Sequence, residues 1–229
     1  MKITQLIDFL KDVPLFNHLN NNDLEQIANI CSERFFEKGK IIFYEEDLGT
    51  SFYIIVSGQV KIVMVSNEGK EHILGLLKER DFFGEISLLD GEPRSATAIA
   101  LEDTETITIT RDDFTRLLRS NPDISLKIMF TLCKRLRKAD KQVESLAFLS
   151  AQGRVARVIL DLADERGEEK DNKIVIYHRM TRQELANIAG TSRETLTRVL
   201  MDFNDNKIIN IGKNRIEILD KKRLKEQIF

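Results

Sequence analysis

The sequence predicts an α+β protein in three segments: a β-rich barrel or jelly roll over residues 1–120, a long helix over 121–149, and a smaller domain over 150–229. Three observations support this order. Short runs of β-branched and aromatic residues, separated by glycine-containing turns, dominate the first segment. A 3-4 spacing of apolar residues follows. Two short capped helices and a strand–turn–strand close the chain.

Composition excludes several classes of protein. The net charge is −2 and the hydrophobic content is 42%, which suits a protein with packed cores. No run approaches the roughly 20 apolar residues of a membrane span, and the N-terminus does not resemble a signal peptide. Cys31 and Cys133 are far apart, so we expect core thiols rather than metal ligands. We therefore expect a cytoplasmic protein with no metal or cofactor, and no catalytic motif indicates an enzyme.

The β-rich segment begins with a helix and continues with short strands. Residues 21–33 carry apolar residues at 3–4 spacing, which predicts a helix. Six runs typical of strands follow: KIIFYEE (40–46), FYIIVSG (52–58), VKIVMVS (60–66), HILGLL (72–77), SATAIA (95–100) and TETITIT (104–110). Strands this short and this frequent favour a barrel or jelly roll.

The central segment predicts one long helix with a narrow apolar stripe. Asn121 is suited to cap the helix, and Pro122 to occupy its first position. The stripe consists of Met129, Leu132, Leu136, Ala139, Val143 and Leu146, and polar residues that include Arg135 occupy the other faces. This a/d pattern indicates a parallel homodimer through residues 129–149. The alternative is that the stripe packs on the protein's own barrel.

The last segment predicts a helix, a strand, two short helices and two further strands. Ser150 can cap a helix over RVARVILDLADE, and the polar sequence RGEEKDN (166–172) is expected to be a loop. KIVIYH (173–178) is typical of a strand, and KIINIG (207–212) and RIEILD (215–220) form a strand–turn–strand. Residues 173–223 carry a net charge of +5. This segment is therefore the better candidate for a polyanionic partner.

The two short helices have the features of a helix-turn-helix. Thr181 and Glu184 form a capping box, Gly190 ends the first helix, and Ser192 caps the second. Two helices joined by a tight glycine turn are typical of this DNA-binding motif.

The second of these helices has an outer face that could read bases. The face consists of Arg193, Glu194, Thr197 and Arg198. Arginine can donate two hydrogen bonds to guanine, and glutamate can accept one from cytosine. The alternative is a solvated face with a Glu194–Arg198 ion pair. Lys207, Lys213 and Arg215 in the following hairpin favour the DNA interpretation, because a basic wing can lie along phosphates.

Five motifs, in this order, resemble the cyclic-AMP receptor protein / fumarate–nitrate regulator (Crp/Fnr) family of bacterial transcription regulators. They are LFNHL (15–19), SFYIIVSGQVKI (51–62), FGEISLLDGEPRSATA (83–98), KRLRKADKQVESLAFL (134–149) and MTRQELANIAGTSRETLTRVL (180–200). The resemblance covers nearly the whole chain. It implies a cyclic-nucleotide-binding jelly roll, a dimerisation helix and a winged helix-turn-helix domain.

The resemblance assigns roles to the stretch at 83–98. Gly84 and Ile86 belong to a short segment whose backbone amides would face a cyclic phosphate. Glu85 would accept a hydrogen bond from the ribose 2′-hydroxyl, Arg94 would pair with the phosphate, and Ser95 would contact it. The alternative is a structural Glu85–Arg94 pair in a member without a ligand.

The predicted base-contacting positions depart from the cyclic-AMP receptor pattern, which has a Thr-Ser pair where this chain has Ala139 and Asp140. An ionised Asp140 could accept from the amino group of adenine or from the N1–H and N2–H₂ of guanine, or it could pair with Arg137 or Lys141. Cyclic AMP is therefore the leading effector and cyclic GMP the rival. A constitutive regulator without a nucleotide remains the further alternative.

The resemblance also implies the mode of DNA binding. The DNA contacts would come from Thr181, Arg182, Ser192, Arg193, Glu194, Thr197, Arg198 and Lys213. The expected partners are double-stranded DNA with TGTGA-like palindromic half-sites about one helical turn apart, a second copy of the chain, and RNA polymerase. A nucleotide-binding module without DNA function and a cyclic-nucleotide hydrolase are the competing classes. The basic C-terminal region argues against the first, and the lack of a metal-ligand set or a nucleophile–base pair in the sequence argues against the second.

Overall fold

The structure, a computed structural model, describes residues 2–170, 173–178 and 180–228. The chain forms two compact units, Met1–Leu136 and Arg137–Phe229. No described helix combines the length and the apolar composition that crossing a bilayer requires.

The N-terminal unit contains a β-sandwich with helices around it. Its helices are α1 (Ile3–Asp12), α2 (Asn21–Ile30), α3 (Ile86–Asp90), α4 (Arg111–Ser120) and the first part of α5 (Pro122–Phe148). Its strands are β1 (Ser32–Phe36), β2 (Ile41–Phe43), β3 (Ser51–Ser57), β4 (Gln59–Val65), β5 (Glu71–Lys78), β6 (Phe82–Phe83), β7 (Thr97–Ala100) and β8 (Thr104–Thr110). The strands form two antiparallel sheets in the orders β1-β8-β3-β6 and β2-β7-β4-β5. All six runs predicted as strands contain one, and the predicted jelly roll is confirmed.

Burial on both faces of the first sheet explains the consecutive apolar residues of β3. Ile54 and Ile107 lie side by side in the pairing and join the core formed with the helices. Ile55 points to the other face, where it packs with Val60 and Ala98 of the second sheet. Strands that are buried on both sides lose the clean alternation of polar and apolar residues.

Several details of the N-terminal unit differ from the predictions. Helix α2 ends at Ile30 rather than continuing to residue 33, because Ser32 already pairs with Thr108 in β1. Helices α1 and α4 were not predicted. Asn121 donates its side-chain amide to the Leu117 carbonyl at the end of α4. Its own carbonyl accepts from the Ile124 amide in the first turn of α5, and its role as a side-chain cap of α5 stays a prediction.

Helix α5 begins at Pro122, as predicted, and contributes to both units. Ile124 and Ile128 are buried in the N-terminal core. The predicted dimer stripe is mostly exposed: Met129, Leu136, Val143 and Leu146. Cys133 is also exposed, which corrects its prediction as a core thiol. Cys31 is half-buried, and burial raises the pKa of its thiol to about 12.

The C-terminal unit combines a helix-turn-helix with a four-stranded sheet. Its elements after α5 are α6 (Ala151–Arg166), β9 (Gly167–Lys170), β10 (Lys173–Tyr177), α7 (Arg182–Ile188), α8 (Arg193–Asp205), β11 (Ile209–Gly212), β12 (Arg215–Ile218) and α9 (Lys221–Glu226). The sheet order among the described residues is β11-β12-β10-β9. The prediction of a loop over residues 166–172 is wrong for Gly167–Lys170, because these residues form β9 and pair with β10. Asp171 and Asn172 of that stretch lie outside the described residues.

Candidate functional site

A tight turn between β6 and β7 forms the first candidate site. We call residues 84–95, with the 44–51 loop that packs on them, the cradle. Strand β6 pairs with β3 and directs the chain into Gly84, whose φ is +78°. A Cβ at Gly84 would lie 2.8 Å from Arg94 Nη1 and 3.1 Å from the Ser51 carbonyl oxygen. Both the left-handed backbone and the close approach of Arg94 therefore require glycine here.

Arg94 is the centre of the cradle, and only 4% of it is exposed. Its Nη1 donates to the Gly84 carbonyl at 2.7 Å and to Ser87 Oγ at 2.9 Å. Its Nη2 donates to the Ser51 carbonyl at 2.7 Å, and its Cζ lies 4.1 Å from the centre of the Phe43 ring. These contacts fix the plane of the guanidinium.

The described groups that accept hydrogen bonds from Arg94 are all neutral. Burial lowers the pKa of this guanidinium from its usual range. No described residue forms an ion pair with it, and its buried Nε has no hydrogen-bond partner within the described chain. A buried cation usually has a partner of opposite charge, so this arrangement favours an anionic ligand.

Glu85 belongs to the same short motif as Arg94, but its ion-pair partner is a different residue. It is 1% exposed, and its Oε1 accepts a 2.6 Å hydrogen bond from Arg135 of α5. The alternative of a structural Glu85–Arg94 pair is therefore not what the structure contains. Glu85 Oε2 is buried and has no partner among the described residues, so this carboxylate keeps one free acceptor.

Burial raises the pKa of Glu85, and the neighbouring Arg135 charge opposes that rise. Arg135 also donates to the Phe82 carbonyl. The prediction that Arg135 fills a solvated face of the helix is wrong, since it reaches the buried acid of the cradle. Only the general need of a buried carboxylate for a cation could have suggested this contact.

The other predicted effector residues are accessible. Ile86 and Ser95 are exposed at the surface of the cradle. Ala139 and Asp140 are exposed on the part of α5 that belongs to the C-terminal unit. Their contact with a nucleotide base stays a prediction.

The helix-turn-helix is the second candidate site, and its predicted caps are confirmed. The Glu184 amide donates to Thr181 Oγ1 at 3.2 Å, and the Thr181 amide donates to Glu184 Oε2 at 2.7 Å. Gly190 has a φ of +60°, and Ser192 Oγ accepts from the Thr195 amide at 3.1 Å. These bonds satisfy amides that the first turns of α7 and α8 leave free.

An arginine that the sequence reasoning missed holds this motif in place. Arg154 of α6 donates from Nε to the Ala189 carbonyl at 2.9 Å and from Nη2 to the Gly190 carbonyl at 3.1 Å. Its Nη1 donates to the Leu149 carbonyl at 2.9 Å. One guanidinium thus links the turn between α7 and α8 to the residue that follows α5.

The outer face of α8 presents the predicted base-reading residues. Arg193, Glu194 and Arg198 are exposed, and Thr197 is half-buried with its hydroxyl donating to the Arg193 carbonyl at 2.7 Å. The four residues line a shallow open depression together with Met201, Asp202 and Asp205. The alternative of a Glu194–Arg198 ion pair is not formed between these two described residues.

The remaining predicted DNA-binding residues lie around this helix. Thr181 and Ser192 are exposed at the starts of α7 and α8. Arg182 is half-buried, and burial lowers its pKa. Lys213 is exposed in the turn between β11 and β12, where a wing would contact phosphates.

Comparison with known proteins gives the same division of the chain. Residues 33–121 match the cyclic nucleotide-binding domain, and residues 153–227 match the Crp-like helix-turn-helix domain. The Cyclic AMP receptor protein of Thermus thermophilus is 34% identical over 220 residues, which cover 96% of this chain and 99% of that protein. A CRP-like cAMP-activated global transcriptional regulator of Mycobacterium tuberculosis is 32% identical over 82% of this chain and 84% of its own length.

Solved structures agree with these matches. The catabolite activator protein of Thermus thermophilus is 35% identical, with a TM-score of 0.54, over 94% of this chain and 98% of that chain. A CooA mutant from Carboxydothermus hydrogenoformans has a TM-score of 0.78 over 88% of this chain and 89% of its own, and at 23% identity it supports the fold alone.

Fold and sites together define a class: transcription regulators in which a cyclic nucleotide-binding domain is joined to a helix-turn-helix domain. Within that class, the chain belongs to the Crp/Fnr family of bacterial transcription regulators. It is a regulator and not an enzyme.

Proposed function

We propose that the protein is an effector-gated homodimeric regulator that binds a cyclic nucleotide, with cyclic AMP as the leading effector, and a TGTGA-like palindrome. The proposed binding of a cyclic nucleotide rests on one observation: the cradle contains two buried groups of opposite charge, Arg94 and Glu85. Arg94 offers a cation that no described carboxylate pairs, and Glu85 offers an acceptor oxygen that no described donor uses. A ligand with one anion and one hydroxyl fits both.

The energetics favour a phosphate at Arg94. Three neutral acceptors hold the guanidinium in one orientation, so little conformational entropy is lost when an anion binds. Arginine binds phosphate oxygens through paired, charge-assisted hydrogen bonds. The ribose 2′-hydroxyl of a cyclic nucleotide would then donate to Glu85, whose ionised form Arg135 stabilises.

The DNA part rests on the exposed face of α8. Recognition helices place residues of their first turns in the major groove, and Arg193, Glu194 and Arg198 occupy those turns here. Arginine suits guanine and glutamate suits cytosine, which is consistent with TGTGA-like half-sites. Lys213 would add a contact to the phosphate backbone.

The dimer part rests on the stripe of α5. Leu136, Val143 and Leu146 are large apolar side chains that stay exposed in the single chain, and Phe148 is 82% exposed at the end of the helix. A contiguous apolar surface of this kind is typical of a protein interface. A symmetric dimer would present two recognition helices to the two half-sites of a palindrome. RNA polymerase is the further partner that we propose for this cytoplasmic regulator.

A fluorescence anisotropy titration of the full-length protein tests this function. We expect tight binding to a TGTGA palindrome in the presence of cyclic AMP and at least about tenfold weaker binding without it, which corresponds to a coupling free energy near 1.4 kcal/mol. Native mass spectrometry should give the mass of a dimer with two bound nucleotides. Equal affinity for the palindrome and for random DNA would contradict the proposal.

Cyclic GMP is the second candidate effector, because exposed Asp140 replaces a hydroxyl side chain of the cyclic-AMP receptor pattern. Two hydrogen-bond donors on the guanine edge suit one carboxylate. Calorimetric titration with each nucleotide separates the two. Binding of neither, together with tight binding to the palindrome, would identify a constitutive regulator.

A further inference from the structure

The 44–51 loop between β2 and β3 is held against the cradle by backbone pairing with Arg94. The Glu46 amide donates to the Arg94 carbonyl at 2.8 Å, and the Arg94 amide donates to the Asp47 carbonyl at 2.9 Å. The backbone carbonyl of Ser51, the residue at which β3 begins, accepts from the Arg94 side chain. The position of the loop and the position of Arg94 are therefore coupled.

A second arginine ties the far end of this loop to helix α3. Arg111 donates from Nε and Nη2 to the Gly49 carbonyl at 3.0 and 2.9 Å, and from Nη2 to the Ser87 carbonyl at 3.0 Å. Its own amide donates to the Thr50 carbonyl at 2.9 Å. Arg111 is the first residue of α4, and Thr110 caps that helix. The planar fork of arginine is what allows one side chain to bridge two carbonyls in this way.

Gly49 makes the contact between the loop and α3 very close. A Cβ at Gly49 would lie 2.2 Å from Ser87 Oγ and 3.5 Å from Arg94 Cζ. Ser87 Oγ is the same atom that accepts from Arg94 Nη1. Any outward shift of the loop at Gly49 would thus change the surroundings of the Arg94 guanidinium.

We propose that Arg111 is a positioning residue of the effector site, which holds Gly49 against Ser87 and thereby keeps the Arg94 guanidinium in its phosphate-binding orientation. This inference rests on the proposed function, because it assigns Arg111 a part in binding the same nucleotide. Arg111 itself acts through Gly49 and Ser87 and does not contact the ligand. The proposal adds Arg111 to the effector site, although Arg111 lies 62 positions along the chain from Gly49, the loop residue that it contacts.

The test compares Arg111→Lys with the wild-type full-length protein in calorimetric titrations with cyclic AMP, cyclic GMP and adenosine. Lysine keeps the charge but lacks the rigid planar fork with which Arg111 bridges the two carbonyls. We expect about tenfold weaker binding of the cyclic nucleotide, the effect of losing about one hydrogen bond to a charged group. Binding of adenosine, which has no phosphate, should stay unchanged. Equally weakened binding of all three ligands would contradict a role that is specific to the phosphate.

A double-mutant cycle with Arg94→Lys shows whether Arg111 acts through Arg94. If it does, Arg111→Lys weakens nucleotide binding by less than about twofold when Arg94 is already lysine, because contacting residues are not additive. A full tenfold loss in that background would overturn the proposal.

The chain also offers a pair of glycine variants that avoids any change of charge. Gly49→Ala should weaken nucleotide binding in the same way, since its Cβ would collide with Ser87. Gly75→Ala is the matched control, because no atom lies within 4 Å of a Cβ built there. Wild-type affinity of both Gly49→Ala and Arg111→Lys would overturn the inference and leave the proposed function intact. Failure of the wild-type protein to bind either cyclic nucleotide would overturn the proposed effector site itself, and this inference with it.

Discussion

Arg94 in the cradle and the arginines of the recognition helix α8 differ in burial and in how their side chains are held. Arg94 is 4% exposed and donates hydrogen bonds to two backbone carbonyls and a hydroxyl, whereas Arg193 and Arg198 are exposed. The first is oriented by the folded core before any ligand arrives. The others lie on the solvent-exposed face of α8.

This difference sets what each site can recognise. A buried, oriented guanidinium selects a small anion by geometry, and water screens the interaction little. Exposed arginines on a helix are strongly screened, so their affinity for DNA depends on salt and their selectivity on which base edge they reach. The contrast therefore predicts that the same Arg→Lys substitution has different consequences in the two places.

The largest effect is expected for Arg94→Lys. Lysine keeps the positive charge, but a single ammonium group cannot reproduce the paired contacts of the guanidinium. We expect the affinity for the cyclic nucleotide to fall by about a hundredfold, or about 2.7 kcal/mol. Isothermal titration calorimetry measures this. Arg80→Lys, on an exposed ion pair with Asp12, is the control and should bind like the wild type. A loss below about threefold for Arg94→Lys would show that charge rather than geometry matters.

Arg198→Lys should have a smaller and more selective effect. Loss of a paired contact to guanine should cost about 1–2 kcal/mol on the palindrome and relax the preference at one base position. Binding to random DNA should hardly change, because the charge is kept. Anisotropy titrations with single-base operator variants measure both.

Lys213→Ala is the matched comparison on the DNA side. A phosphate contact carries no sequence information, so its loss should weaken specific and random DNA alike. The plot of the logarithm of the DNA association constant against the logarithm of the salt concentration should also become less steep, by about one unit of slope. A base-specific loss with Lys213→Ala, or a uniform loss with Arg198→Lys, would reverse the roles assigned to these residues.

Local patterns in the sequence predict most of the fold. The strands of the sandwich and the caps of α7 and α8 are encoded by neighbouring residues, so short windows are enough to find them. The two-residue strand β6 and the charged strand β9 carry no such pattern, and pairing with β3 and β10 creates them. Helix α4 had a usable signal that was overlooked, since Thr110 caps it by accepting from the Asp113 amide.

The supporting residues of the cradle could not be predicted in this way. Glu85 and Arg94 lie within one short motif, and the resemblance identifies them. Arg135 and Arg111 reach their partners across 50 and 62 positions, so no periodicity connects them. Long-range hydrogen bonds of this kind depend on tertiary packing, which only the structure provides.

Arg135→Gln tests a residue whose exposure is intermediate between that of the buried Arg94 and that of the exposed arginines of α8. The side chain of Arg135 is 33% exposed, whereas that of its partner Glu85 is 1% exposed. Removing the cation leaves a buried carboxylate without its partner, which should lower the free energy of unfolding of the N-terminal unit by about 2 kcal/mol. Urea denaturation measures this. Arg137→Gln, at an exposed position of the same helix, should change it by less than about 0.5 kcal/mol.

The smallest expected effect is a pH dependence that comes from Glu85. Burial raises its pKa in the folded protein, so the folded state binds this proton more readily than the unfolded state does. The contribution of Glu85 to the free energy of unfolding is therefore greatest in acid. It falls as the pH rises from the ordinary glutamate pKa through the raised pKa of the folded protein. Glu85→Gln removes the titration and leaves the other ionisable groups in place.

The comparison of the two proteins isolates that one group. We expect the difference in melting temperature, wild type minus Glu85→Gln, to be largest at low pH, to decline through this window, and to stay level above it. A flat difference for Glu85→Gln would mean that the Arg135 charge fully offsets the cost of burial.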